Sequence, residues 1–347
     1  MIQPKKAIMG MKAYSPPLEG RRGKLRLDFN ENTIGCSPKV MEAIRKLKRE
    51  DIATYPEYDE LIAKLAKYQK ADKSQIMVTN GTNEAIKVVF ETYIEKGDEI
   101  VIPYPTFAVF SLCAAIAEAN LKKIMYNSDL SFPTKEVLDS ITSKTKLVIL
   151  VNPNNPTATK IEQKDIIKII EKAKNSIVLV DEAYFQFINQ SCSGLINKYD
   201  NLIVMQTFSK AFGLAGLRFG CVISDKENIQ NMIKAKLPYS VNIVAITAAS
   251  AAIDDKLYVK NYVSKIEEGK KIIYNGLGRL NIKTYPSAAN FMLADFGKRS
   301  KEIQKKLAKK GILVREMGNY PLLSGCLRIT IGPKLQSKKF ISALKEI

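Results

Sequence analysis

Leu202-Ile203-Val204-Met205-Gln206 runs directly into Thr207-Phe208-Ser209-Lys210-Ala211-Phe212-Gly213-Leu214-Ala215-Gly216-Leu217-Arg218. The first five residues are apolar or nearly so, and read as a buried strand that delivers the rest to one place. Lys210 then stands between two hydroxyls, Thr207 and Ser209, and an arginine eight residues on. Gly213, Gly216 and Gly220 allow tight turns and close backbone approach. A lysine so placed suits a Schiff base with an aldehyde cofactor, and hydroxyls with an arginine suit that cofactor's phosphate. Alone, the stretch serves equally well as a solvated loop carrying one surface lysine.

Working outward, short apolar runs alternate with helical patterns: Ile76–Thr79, Glu99–Ile102, Leu121–Met125, Leu147–Val151, Ile177–Val180, Leu202–Met205 and Phe219–Ile223. Continuous runs, rather than strict alternation, fit a mostly parallel seven-stranded sheet buried on both faces, with helices closing the crossovers. The expected fold class is therefore α/β. Ser37-Pro38 opens a helix with an N-cap and a proline at the first position. After Pro238 come an Ala-rich helix, a long helical pattern from Leu257 to Leu280, and a strand-strand-helix-strand-strand-helix order that fits a small α+β domain. The expected division is an irregular N-terminal arm over residues 1–33 packing with the small domain, a large domain over 34–240 and a small C-terminal domain over 241–347.

A chain of 347 residues with 46% hydrophobic and 26% charged residues has the composition of an ordinary globular protein. The net charge of +19 raises nucleic acid as a partner. The lysines, however, are spread over the polar faces of helical patterns and no nucleic-acid motif accompanies them, so no such partner is expected. No apolar run is long enough to cross a bilayer, and Met1–Gly10 carries no apolar core of a signal sequence. Five widely spaced cysteines without a CxxC pair suggest reduced thiols, and together these features lead to a cytoplasmic protein with no membrane partner. The absence of histidine excludes a Ser-His-Asp triad and any His-ligated metal, and no metal site is expected.

Other polar groups sit where strands end. Gly81-Thr82-Asn83-Glu84 opens a helix directly after a strand, which makes a ready anion site or an ordinary capped turn. Phe107 follows another strand and suits either stacking on a flat ring or the core. Asn152-Pro153-Asn154-Asn155-Pro156-Thr157 ends a third, in the crevice where open α/β sheets take ligands. Asp181 ends a fourth, with Tyr184 three residues on. A buried carboxylate there needs a cation, met by a salt bridge or by a protonated pyridine nitrogen. Arg328 is a lone charge in an apolar strand and needs an anion, and Arg315 is similar but nearer a strand end.

Taken in this order, Leu27–Asn32, Asn80–Ile86, Asn152–Thr157, Asp181–Tyr184, Thr207–Arg218 and Cys326–Gly332 resemble the histidinol-phosphate aminotransferases. These lie within the class I/II aminotransferases, which use pyridoxal 5'-phosphate on fold type I. The resemblance runs from Tyr14 to Ile347. It implies transfer of an amino group between histidinol phosphate and 2-oxoglutarate, in histidine biosynthesis, by a homodimer with shared sites. Lys210 would form the Schiff base and move the substrate proton. Asp181 would hold the pyridine nitrogen, Tyr184 and Asn155 the ring oxygen, and Phe107 the ring face. Gly81, Thr82, Asn83, Thr207, Ser209 and Arg218 would hold the cofactor phosphate, with Tyr55 reaching it from the neighbouring subunit. Arg328 and Asn155 would take the substrate carboxylate, and Arg315 and Tyr14 the distal end of the substrate. Two positions depart from the family pattern: Ala158 stands where glycine is usual, and Phe107 where tyrosine is. The rival activities are an aromatic aminotransferase and a phospho-amino-acid decarboxylase of the same fold. A non-catalytic cofactor-binding regulator would need an added nucleic-acid domain, of which the sequence shows no sign.

Overall fold

The computed structural model describes residues 2–13 and 19–347. In chain order its strands are β1 (Leu25–Leu27), β2 (Ile76–Thr79), β3 (Glu99–Tyr104), β4 (Asn120–Met125), β5 (Thr145–Val151) and β6 (Ile177–Asp181). There follow β7 (Leu202–Thr207), β8 (Gly220–Ser224), β9 (Lys283–Thr284), β10 (Phe291–Asp295), β11 (Ile312–Glu316) and β12 (Cys326–Thr330).

Seven of these form one sheet in the order β2-β8-β7-β6-β5-β3-β4. From β7 outward to β4 the pairing is parallel, whereas β8 runs antiparallel to both β7 and β2. The sheet is α/β as expected, and its central strands are buried on both faces because alternate residues serve two cores. Val148, Leu150, Val180 and Val204 point into one apolar cluster, and Leu147, Ile149, Leu179 and Ile203 into the other. Edge strand β4 carries Lys122 and Lys123 and is only half-buried, which keeps the open edge polar.

The second sheet has the order β1-β11-β12-β10-β9. Residues 1–33 had read as irregular, but Leu25–Leu27 forms a strand parallel to β11, with Leu25 beside Ile312 and Leu27 beside Val314. Three residues are too few to show a period, so only the partner strand reveals it. A short helix, Lys6–Met9, also lies in this arm.

The helix Pro38–Arg45 starts as its sequence requires, with the Lys39 N–H donating to Ser37 Oγ at 3.1 Å and proline in the first turn. The helix Ile243–Asp254 had been grouped with the C-terminal unit. Its Ala245, Ala248, Ala249 and Ala252 pack in the same cluster as Val40, Leu61 and Leu65. We therefore propose that the large unit extends to Asp254 and that the smaller one begins with the helix Lys256–Arg279.

Candidate active site

The loop 208–219 turns the chain back between β7 and its antiparallel neighbour β8, and its own phenylalanines make it rigid. Phe208 stacks on Phe212 at 4.1 Å and meets Phe219 edge-on at 4.9 Å, all three buried. Gly213 has φ +75°, and a Cβ there would lie 2.6 Å from the Gly35 carbonyl oxygen, so only glycine fits. With the aromatic side chains turned inward, Lys210 is presented at the carboxyl end of β7.

Lys210 Nζ donates to the Phe29 carbonyl at 2.9 Å and lies 5.8 Å from the centre of the Tyr184 ring. Burial pulls its pKa from the ordinary lysine value down to about 8; Arg328 and Arg218 push the same way, against Glu31 and Asp181. Lysine thus offers a neutral amine close to neutral pH, the form that attacks a carbonyl.

Asp181 ends β6, next to β7, and is 3% exposed. Burial pushes its carboxyl up to about 7; the Ala183 N–H, donating at 3.0 Å, and Lys210 work against that, and Glu182 works with it. Such a carboxylate calls for a cation it can touch. Tyr184, 2% exposed, accepts from Asn30 Nδ2 at 3.0 Å and packs edge-on against Phe291.

Asn155 follows β5, the next strand over. Its Oδ1 accepts from Arg328 Nη1 at 2.5 Å, and Arg328 Nη2 donates to the Asp28 carbonyl at 2.7 Å. Phe107 is half-buried beyond the end of β3, with its ring edge-on to Phe110. Thr106 Oγ1 donates to Asn154 Oδ1 at 2.6 Å, and Asn154 Nδ2 donates to the Pro105 carbonyl and to Thr157 Oγ1, which ties the loops after β3 and β5 together. The carboxyl ends of β3, β5, β6 and β7 thereby form one crevice.

On the other side of Lys210, Arg218 has left-handed backbone (φ 58°), and its Nη1 donates to Ser209 Oγ at 3.1 Å. The Ser209 N–H donates to Thr207 Oγ1. The guanidinium lies over the start of the helix Gly81–Tyr93: a Cβ on Gly81, which has φ +69°, would be 2.5 Å from Arg218 Nη2. A half-buried cation on the positive end of a helix is unfavourable without an anion beside it. Burial lowers the Arg218 pKa accordingly. Thr82 is buried and Asn83 exposed at this helix start.

These groups fit pyridoxal phosphate: an amine for the aldehyde, a carboxylate for the ring nitrogen, and hydroxyls, a guanidinium and helix amides for the phosphate. Lys210, Asp181, Tyr184, Asn155, Arg328, Thr207, Ser209, Arg218, Gly81 and Thr82 converge. Arg315 is half-buried, 6.0 Å from the Phe29 ring. Tyr55 is 74% exposed and stacks on Tyr239 at 4.4 Å. Tyr14 lies outside the described residues. Ala158 is buried with φ 60°, a left-handed backbone that favours the glycine usual there.

Leu27–Asn32 carries part of the family resemblance, but the sequence assigns residues 28–30 no role at the site. The carbonyls of Asp28 and Phe29 hold Arg328 and Lys210, and Asn30 holds Tyr184. The two carbonyls leave no trace in residue type, whereas a buried asparagine inside an apolar-charged stretch was a visible signal.

Comparison with known proteins gives the same picture. The family described as aminotransferase class I and II matches residues 22–347. The histidinol-phosphate aminotransferase of Caldanaerobacter subterraneus subsp. tengcongensis is 36% identical, over 98% of this chain and 97% of its own. That of Methanocaldococcus jannaschii is 34% identical, over 93% and 89%. The crystal structure of the Sinorhizobium meliloti histidinol-phosphate aminotransferase in complex with pyridoxal-5'-phosphate superposes with a TM-score of 0.91 at 25% identity, over 100% of this chain and 97% of that one. Family and neighbour together imply pyridoxal phosphate as cofactor and small molecules as substrates. Among the described residues no helix is long and apolar enough to cross a membrane. The chain belongs to the class I and II aminotransferases.

Proposed function

We propose that this chain is a cytoplasmic histidinol-phosphate aminotransferase that moves an amino group between histidinol phosphate and 2-oxoglutarate. The observation that carries the reading is the placement of two arginines, Arg315 and Arg328, directly opposite one another on β11 and β12, with Arg328 close enough to Lys210 to lower its pKa. A site so built is set for an amine whose other end is an anion.

When bound, pyridoxal phosphate supplies an electron sink for the electron pair left as the substrate loses its proton. Lys210 would hold the cofactor, and its amine would take and return that proton. Asp181 keeps the ring nitrogen protonated. Tyr184 and Asn155 give hydrogen bonds to the ring oxygen, the Asn155 amide nitrogen being available because its oxygen is occupied by Arg328. Phe107 covers one ring face. Thr207, Ser209, Arg218 and the amides of Gly81, Thr82 and Asn83 hold the phosphate. Arg328 binds the carboxylate of glutamate, and Arg315, with Tyr14, the distal phosphate.

A homodimer completes the site. Tyr55 stacks on Tyr239, and Ile52 (61% exposed) and Leu237 (71% exposed), each within three residues of one of these tyrosines in sequence, are exposed apolar side chains as well. The group adjoins the helix start at Gly81, because Ser240 Oγ donates to Glu84 Oε2 at 2.9 Å. A second copy covering this patch would bring the partner subunit's Tyr55 to the cofactor phosphate.

The test is single-turnover absorbance on cofactor-loaded protein mixed separately with histidinol phosphate, glutamate, phenylalanine and threonine phosphate. Fast loss of the visible band with the first two supports the assignment. Fast loss with phenylalanine instead makes the enzyme an aromatic aminotransferase, and carbon dioxide release from threonine phosphate makes it a decarboxylase.

A further inference from the structure

Asn30 is a buried side chain at the crevice to which neither the sequence nor the family resemblance gave a role. It is 1% exposed and has φ 56°, a left-handed backbone that asparagine tolerates better than most residues. Its backbone is fixed from the smaller sheet: the N–H donates to Thr330 Oγ1 at 2.9 Å, and the carbonyl accepts from Asn290 Nδ2 at 3.1 Å. The same Thr330 hydroxyl, having accepted the backbone N–H, gives its own proton to Asn30 Oδ1 at 3.3 Å. The other end of the amide, Nδ2, donates to the Tyr184 hydroxyl at 3.0 Å.

A phenol has one proton to give and can accept from others. Because Asn30 fills an acceptor position of the Tyr184 oxygen, the phenol's own proton is directed elsewhere, and Tyr184 borders the space around Lys210 Nζ. A donated hydrogen bond also makes the phenol a stronger donor. Aspartate at position 30 would have the opposite effect, since an ionised carboxylate only accepts and would take the phenol's proton for itself. We propose that Asn30 is a positioning residue that makes Tyr184 a committed hydrogen-bond donor toward the ring oxygen of the cofactor. The inference rests on the proposed cofactor site and adds to it a control exerted from the N-terminal segment and β12.

The readout is the pH midpoint of the visible band of cofactor-loaded protein. A proton given to the ring oxygen holds that oxygen's negative charge, so the neighbouring lysine-linked nitrogen releases its own proton more readily. Weakening the donor therefore raises the midpoint. Asn30→Gly removes the amide but keeps both backbone bonds and suits φ 56°; Asn30→Asp keeps size and shape, so one of the pair survives if the other folds poorly. Both are expected to raise the midpoint by up to about one pH unit, in the direction of Tyr184→Phe, one unit being about 1.4 kcal/mol. In the Tyr184→Phe background, Asn30→Gly is expected to add nothing, because the two act through one hydrogen bond. A midpoint unmoved in both Asn30 variants, while Tyr184→Phe moves it, overturns the proposal alone. A full additional shift in the double variant also overturns it. An unmoved midpoint in Tyr184→Phe, or no band in the unaltered protein, overturns the cofactor assignment and the proposal with it.

Discussion

Arg315 and Arg328 are register partners on the antiparallel strands β11 and β12. Like charges directly opposite on one face of a sheet destabilise it. Arg328 is compensated by Asn155 and by the Asp28 carbonyl, whereas Arg315 lies 6.0 Å from the Phe29 ring, over which Arg21 also sits at 4.0 Å. The register thus brings two cations together on the smaller sheet, and an anion bound beside them would relieve their repulsion.

Removing either arginine separates the two substrates. Arg328→Ala is expected to weaken the glutamate half-reaction by roughly ten- to a hundred-fold, the range for one charged hydrogen-bonded contact. Arg315→Gln is expected to raise KM for histidinol phosphate far more than for phenylalanine. Equal losses on both amines after Arg315→Gln would remove the phosphate-binding role from that residue.

Asp181 gives the cofactor-free protein a pH signature. Its carboxyl is raised on folding, from the ordinary value of 3.8 to about 7, so the native state keeps a proton that the unfolded chain has lost. The stability this lends is present below about pH 4 and is lost as pH rises through 7. Asp181→Asn, which cannot ionise, should therefore melt near the unaltered protein at pH 4 and above it at pH 8, by on the order of 1 kcal/mol or more. A variant equally stable or less stable at pH 8 would show that the carboxylate is compensated by neighbours rather than held for a ligand.

Gly81→Ala tests the phosphate cradle. The new methyl would meet Arg218 and adopt φ +69°, so Arg218 must leave the helix start or the helix must unwind there. Cofactor affinity is expected to fall at least tenfold. The melting temperature of the cofactor-free protein should drop by the few degrees that roughly 1–2 kcal/mol of backbone strain produces. An unchanged dissociation constant would separate this helix start from the phosphate.

Much of this architecture could be read from the residues. Runs such as Leu147–Val151 and Leu202–Met205 are apolar throughout because both faces of the sheet are covered, and each is a strand. The direction of β8 could not be read, since it is set by the loop 208–219 doubling back rather than by anything within Gly220–Ser224. Strand β1 is three residues long and exists through its pairing with β11. At the site, charged and aromatic groups at strand ends stood out by type, as Asp181 and Arg328 did. The groups that hold them, the carbonyls of Asp28 and Phe29, are common to every residue and become visible only when the chain is folded.

The most direct measurement concerns Lys210, whose amine, its pKa lowered by burial, is the centre of the proposed chemistry. Purified protein and Lys210→Ala would each be incubated with pyridoxal phosphate, freed of excess cofactor, and compared for visible absorbance and for glutamate formation from histidinol phosphate and 2-oxoglutarate. A lysine-linked band and turnover in the first, and neither in the second, is the expected result. Undiminished turnover in Lys210→Ala, or no band in the unaltered protein, would contradict it.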